Sequence, residues 1–173
     1  MSPAAVTVTA VGKISDIRNS INAVVRQDNE TALLYIDFSK GSFQLGGSSF
    51  AQVMDRIGND TPDVKDTAYF KNCFNTIQKL IEGGLIVAGH DVSAGGLITT
   101  LLEMTFANCE GGLNIDLSSF NSNDIISVAF SEQPAVVIQV KGNKAKEILS
   151  SNNIDFVVIG KPQGKREITL KKD

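Results

Sequence analysis

The sequence predicts an α/β (α+β) layered sandwich: one mixed β-sheet flanked by helices. Two observations predict it. Short runs of apolar and β-branched residues, bounded by turn residues, read as buried strands. Between them, apolar residues recur at helical spacing, and strands and helices interleave without strict βαβ order.

In chain order, Ala5-Val6-Thr7-Val8-Thr9-Ala10-Val11 reads as a first strand. Ile14, Ile17, Ile21 and Val24-Val25 suggest a short helical turn beginning at Ser15 or Asp16. Residues 32–38 are apolar and read as a buried strand, followed by turn residues Ser39-Lys40-Gly41-Ser42. Phe50, Val53, Met54 and Ile57 share one helical face, with Gly58 past its end. After a loop at 59–63, Asp66 or Thr67 caps a longer helix through Phe70, Cys73, Phe74, Ile77, Leu80 and Ile81, closed by Gly83-Gly84.

Residues 85–91 form the strongest strand candidate, running into a helix over 97–107 with Leu97, Leu101 and Met104 inward. Residues 113–117 alternate as a half-exposed strand, and 125–130 make a short helix. Residues 135–140 read as a buried strand and 143–151 as an exposed helix buried at Ala145, Ile148 and Leu149. Strands at 156–160 and 167–170 close the set, with the basic run 161–166 as a solvated turn and Lys171-Lys172 as a tail. Residues 1–173 are read as one domain, the size being ordinary for one.

Composition narrows function. Apolar residues are 42% and charged residues 20%, which excludes a disordered chain. A net charge of −3 without a basic patch argues against nucleic acid as a partner. No apolar run approaches the roughly 20 residues of a membrane helix. Two cysteines, Cys73 and Cys109, without a secretion signal read as free thiols in a reducing cytoplasm. The opening Met1-Ser2-Pro3 and the ending Lys171-Lys172-Asp173 each abut a strand, as in a piece of a longer chain.

The chemistry concentrates in His90-Asp91-Val92-Ser93-Ala94-Gly95-Gly96-Leu97, a strand end, a tight turn and a helix start. Unpaired N–H groups at a helix start attract phosphate, and Gly95 and Gly96 let a ligand or a backbone come close. Asp91, at a strand's C-terminal end, is placed to hold Mg²⁺ against phosphate oxygens. Ser93 offers a hydroxyl to phosphate, or caps the helix. The same turn chemistry also occurs in α/β proteins without a ligand, and both readings stay open on the residues alone. His90, the only histidine, reads as a hydrogen-bonded structural residue, and Cys73 as core. Leu45-Gly46-Gly47-Ser48-Ser49 is a second glycine turn before a helix, and two such starts could flank one anion; it lacks the Lys-Ser/Thr of a P-loop. Glu103 and Glu132 read as isolated carboxylates.

The segment His90-Asp91-Val92-Ser93-Ala94-Gly95-Gly96-Leu97, with Leu101-Leu102-Glu103-Met104-Thr105-Phe106-Ala107 after it, resembles the C-terminal domain of the aminoimidazole-ribonucleotide-synthetase superfamily. Selenophosphate synthetase, thiamine-monophosphate kinase and a hydrogenase-maturation protein belong to that superfamily too. Leu45-Gly46-Gly47-Ser48-Ser49-Phe50-Ala51-Gln52-Val53, Thr61-Pro62-Asp63-Val64 and Phe130-Ser131-Glu132-Gln133-Pro134-Ala135-Val136-Val137-Ile138-Gln139-Val140 look like the second such domain of the large single-chain phosphoribosylformylglycinamidine synthases.

That resemblance implies an ATP- and glutamine-dependent ligase of purine biosynthesis, cytoplasmic, with two synthetase-like halves and a C-terminal glutaminase as partner domains. It implies Asp91 as the Mg²⁺ ligand and Ser93 as the ATP or ADP contact, with no catalytic residue in this chain and no activity for the fragment alone. Relatives often carry an acidic residue where Ala94 stands, so that carboxylate's role is absent here. The rival readings are another enzyme of the superfamily, or a structural domain that binds no nucleotide.

Overall fold

A computed structural model describes residues 7–14, 16–122 and 124–172. The strands are β1 (Thr31–Asp37), β2 (Ile86–Asp91), β3 (Gly112–Asp116), β4 (Ala135–Lys141), β5 (Val157–Gln163) and β6 (Ile168–Lys171). The helices are α1 (Ser49–Val53), α2 (Thr67–Glu82), α3 (Gly96–Phe106), α4 (Ile125–Phe130) and α5 (Lys144–Ser151). The strands form one sheet in the order β2-β4-β1-β5-β3-β6. Only the β3–β6 pair is parallel, so the sheet is mixed as expected.

Strand periodicity explains the layers. Successive side chains point to opposite faces, and in β1 both faces are apolar. Leu33 and Tyr35 enter one core with Leu97, Leu101 and Met104 of α3 and Val128 of α4. Leu34 and Ile36 enter the other with Cys73, Ile77 and Leu80 of α2 and Ala145 and Leu149 of α5. Strand β4 divides likewise, Val137 to the first core and Ile138 and Val140 to the second. The continuous apolar runs in these two strands are thus the signature of a sheet buried on both faces. In β3, by contrast, Leu113 and Ile115 are buried while Asn114 is exposed, because no helix core lies over that second face.

Gln139 is polar yet fully buried in β4. Its amide is satisfied: Nε2 donates to Arg26 O at 2.8 Å and Thr31 Oγ1 at 2.7 Å, and Oε1 accepts Arg26 N–H at 2.9 Å. A buried amide with all these partners costs little, while one missing partner leaves a desolvated group. The side chain thereby ties the segment before β1 onto the sheet. The same segment covers the β2 edge, where Gly89 N–H donates to Asn22 O at 3.1 Å, and reaches α3, where Val25 N–H donates to Met104 O at 2.9 Å.

The capping logic holds for α2: the Asp66 carboxylate accepts the Tyr69 N–H at 2.9 Å, and Gly84 takes a left-handed φ of 64° after the end. Three expectations fail. Residues 7–11 form no strand; residues 5 and 6 lie outside the described residues. Val8 and Val11 are exposed, and the β2 edge that could have paired them is already covered near Asn22. Only a 3-10 turn, Ile17–Asn19, stands in the following stretch, capped by Asp16. Second, α1 stops at Val53, with Asp55 left-handed, so Val53, Met54 and Ile57 face solvent rather than a core. Third, Lys161, Pro162 and Gln163 continue β5 instead of turning. Proline is tolerated there because β5 pairs with β1 only as far as Gly160, so its missing N–H interrupts no ladder on that side.

Leu101 is fully buried where α3 meets the sheet. Leu101→Ala is expected to lower unfolding free energy by about 3 kcal/mol through lost burial and a residual cavity. Urea titration should show a lower midpoint with an unchanged slope.

Candidate functional site

The sequence-selected turn connects β2 to α3. Asp91 ends the strand, paired across from Val136, and Val92 N–H extends the ladder to Ala135 O at 2.8 Å. The Asp91 side chain is 74% exposed. Its carbonyl is pinned, accepting from Thr100 Oγ1 of α3 at 3.2 Å and lying 2.7 Å from His90 Nδ1. A groove of about 370 Å³ runs beside it, lined by His90, Asp91 and apolar residues that include Ile21, Ile77, Val136 and Ile138. Ser93 is half-buried, and its carbonyl accepts Gly96 N–H at 3.0 Å, closing the turn. The Ser93 hydroxyl does not cap α3; the N-cap is Gly95, at φ 87°.

The glycines serve the chain's own packing. A Cβ on Gly95 would sit 2.2 Å from Thr99 Oγ1, and one on Gly96 would sit 2.6 Å from the Phe130 carbonyl carbon. Both residues also hold positive φ, a region costly for side chains. In the second glycine turn, a Cβ on Gly46 would strike the Asp60 backbone at 2.5 Å. Close backbone approach was the right expectation, but the partner is protein.

The two glycine turns, expected to flank an anionic ligand, converge instead on a carboxylate of the chain itself. Glu132 Oε1 accepts Ser49 N–H and Gly95 N–H, each at 2.8 Å. It therefore fills the position at the start of α3 that the sequence offered to phosphate, and a second anion there would be repelled. Burial pushes the Glu132 carboxyl up, but the hydrogen bonds from Gly95 and Ser49 outweigh it and hold the pKa below its ordinary 4.5. Asp91 and Ser93, just before the glycines, are the sequence-selected polar groups left to meet a ligand.

Of the two carboxylates read as isolated, Glu132 is engaged, while Glu103 only lies near His90. Glu132 joins two helix starts, and Glu103 of α3 places Oε2 3.4 Å from His90 Nε2. That oxygen is buried and makes no hydrogen bond. The available signal for Glu132 was its place in Ser131-Glu132-Gln133-Pro134, a polar run directly before a buried strand. Among the described residues, no three His, Cys, Asp or Glu side chains are grouped to hold a metal ion. Cys73 is buried, and burial pushes its thiol up, as befits core; Cys109 is exposed. No helix of the described residues is long and apolar enough to cross a membrane.

A mixed sheet between helix pairs, with a glycine turn leading from a strand-end aspartate into α3, defines the class. The chain belongs to the family described as AIR synthase related protein, C-terminal domain, which matches residues 40–173. Among curated proteins it is 37% identical over 158 residues to the probable phosphoribosylformylglycinamidine synthase, chloroplastic/mitochondrial, of Arabidopsis thaliana. That match takes in 91% of this chain and only 10% of the relative, so the chain spans about a tenth of the relative's length. The fold is also that of T. maritima PurL: TM-score 0.66 and 13% identity to its ATP complex, over 90% of this chain and 25% of the other. The FGAR complex of the same protein gives 0.68 and 16%, over 90% and 27%. E. coli HypE, a hydrogenase maturation protein, gives 0.56 and 16%, over 87% and 48%.

Glu132→Gln is expected to destabilise the chain by about 1 kcal/mol at neutral pH, a charge-assisted pair of bonds discounted for partial exposure. Because the folded pKa is depressed, that contribution is complete above the unfolded value near 4.5 and is lost as pH falls through the folded pKa. Urea midpoints of wild type and variant should therefore differ at pH 7 and converge in acid.

Proposed function

We propose that this chain, residues 1–173, is one domain of an ATP- and glutamine-dependent phosphoribosylformylglycinamidine synthase. The enzyme converts formylglycinamide ribonucleotide to formylglycinamidine ribonucleotide. The observation that carries the reading is the 37% identity to a named synthase over 91% of this chain. In this reading the whole enzyme uses ATP to activate an amide oxygen and replaces it with ammonia released from glutamine. The chain supplies part of a nucleotide site and does not turn over substrate alone. Its partners are the remaining synthetase-like domains and the glutaminase of a longer protein, supported by the tenth of the relative's length that it spans. We place it in the cytoplasm, a reading supported by its two free cysteines.

Within the chain, Asp91 is the proposed Mg²⁺ ligand and Ser93 the proposed ATP or ADP contact. The residues fit such a cation. Mg²⁺ takes oxygen donors and is usually held by one or two carboxylates together with waters and phosphates. Asp91 offers one open carboxylate on a backbone pinned by Thr100. When bound, Mg²⁺ would neutralise phosphate oxygens and join them to that carboxylate. The chain's own work is positional: β2 and α3 fix where Asp91 and Ser93 stand, and Glu132 keeps the turn closed.

The test is isothermal titration of MgADP into wild type and Asp91→Ala. Heat from the wild type alone is the expected result. Equal binding by both would remove Asp91 from the site, and binding by neither would leave this chain without a nucleotide site of its own.

A further inference from the structure

The sheet has an open edge. β6 ends the strand order, so among the described residues one side of it pairs with no strand. The ladder to β3 runs through alternate residues: Leu113 N–H donates to Glu167 O at 3.0 Å, and Leu117 N–H to Lys171 O at 2.8 Å. Within a strand, the N–H and C=O of one residue point to the same side, and the side alternates along the chain. Glu167, Thr169 and Lys171 therefore direct their backbone groups to β3, while Ile168 and Leu170 turn theirs outward. Such an edge is a template for another strand.

The two faces of this edge differ. Ile168 packs against the core under α3, and Leu170 shares that face yet is 41% exposed. Beside Ile168 lies a groove of about 390 Å³, lined also by Leu102 and Phe106 of α3, and Phe106 is 70% exposed. The opposite face carries Glu167, Thr169 and Lys171, all exposed. Lys171 stands in register with Asp116 of β3, and Glu167 lies 3.9 Å from Lys165.

We propose that a second copy of this chain occupies the edge, β6 pairing antiparallel with the partner's β6 about a two-fold axis at Thr169, so that two sheets become one. The two-fold axis makes the pairing antiparallel and closes the assembly at two chains. The outward groups of Ile168 then meet those of the partner's Leu170, and the reverse. A slip of one residue sets outward amides against inward ones, so the register moves in steps of two. With the axis at Thr169, Glu167 stands directly opposite the partner's Lys171, and Lys171 opposite the partner's Glu167; a slip of two loses both pairs. Opposite charges facing each other across strands favour pairing, and like charges oppose it. This charge match is what selects a copy of the same chain. On the other face, Ile168 meets the partner's Leu170 beside the groove with Phe106, covering apolar surface otherwise left to water. A contact built on one four-residue strand is smaller than the roughly 800 Å² per partner of a stable complex, so the association is weak and depends on concentration. The inference stands apart from the reading of Asp91.

Sedimentation equilibrium of the chain should show monomer and dimer in exchange, with the dimer share rising with concentration. Amide hydrogen exchange at low and high concentration should slow at Ile168 and Leu170 and stay unchanged at Thr169, whose N–H faces β3. Leu170→Pro removes an outward N–H without touching the β3 ladder and should abolish the dimer. Glu167→Lys and Lys171→Glu should each weaken it about tenfold, and the double variant should restore it, because the ion pairs are then reversed rather than lost. Thermal melts establish that each variant is folded. A monomer at every concentration, or a dimer that survives Leu170→Pro, overturns the proposal. So does a double variant that associates no better than the single ones. Should Leu170→Pro not fold, the charge-reversal series decides.

Discussion

The arrangement depends on four consecutive residues between α4 and β4. Ser131 Oγ accepts Gln44 N–H at 3.2 Å, Glu132 takes the amides of Ser49 and Gly95, and Pro134 O accepts Phe38 N–H at 2.9 Å. Between them Gln133, fully buried, donates to Asp37 Oδ2 at 3.0 Å and Ser39 Oγ at 2.7 Å. The end of β1, the loop before α1, and the start of α3 are thus tied to one short segment. These connections cross the chain at separations of 37 to 96 residues. Each is a hydrogen bond to a backbone or a buried group, so each carries a desolvation penalty if broken. Removing one partner would leave the other short of a hydrogen bond in a place water reaches poorly.

That constraint alters how the glycine turn is understood. A helix start is a ready anion site because its amides have no internal partner. Here the protein supplies the anion, and Gly96 is required by the backbone of Phe130 rather than by a ligand. Before the glycines, Asp91 stands exposed and fixed at its carbonyl.

Much of the fold was legible because its signals are local. Leu33 to Ile36 are apolar without alternation, which only a strand covered on both sides needs, and α2 announces itself through Asp66 and Gly83-Gly84. The failures are where a local preference met a tertiary fact. Val6-Thr7-Val8 suits a strand, but β propensity measures fit to a pleated, half-buried surface, and residues 7–11 have none to join. Val53, Met54 and Ile57 share a helical spacing, yet the helix ends before the spacing can bury them. In the candidate site, the turn chemistry pointed to Asp91 and Ser93, whose roles are proposals. Glu132 and Glu103 were missed because their partners lie on other elements, and a single sequence does not show which strand end a carboxylate will meet.

The Mg²⁺ site proposed at Asp91 would have to be shared. A hard divalent cation of the Mg²⁺ type needs near-octahedral oxygen coordination, and this chain brings one exposed carboxylate to it, with no third candidate ligand grouped nearby among the described residues. The remaining positions then fall to water, to the phosphates of the nucleotide, and to side chains from elsewhere. A domain that contributes one ligand controls affinity through geometry more than through charge, because it determines the angle at which its carboxylate meets an ion held by others. In the proposed site the Asp91 carbonyl, pinned by Thr100, would therefore matter more than the number of acidic groups. A loose aspartate would give up on each binding event the entropy that this framework has already removed in folding.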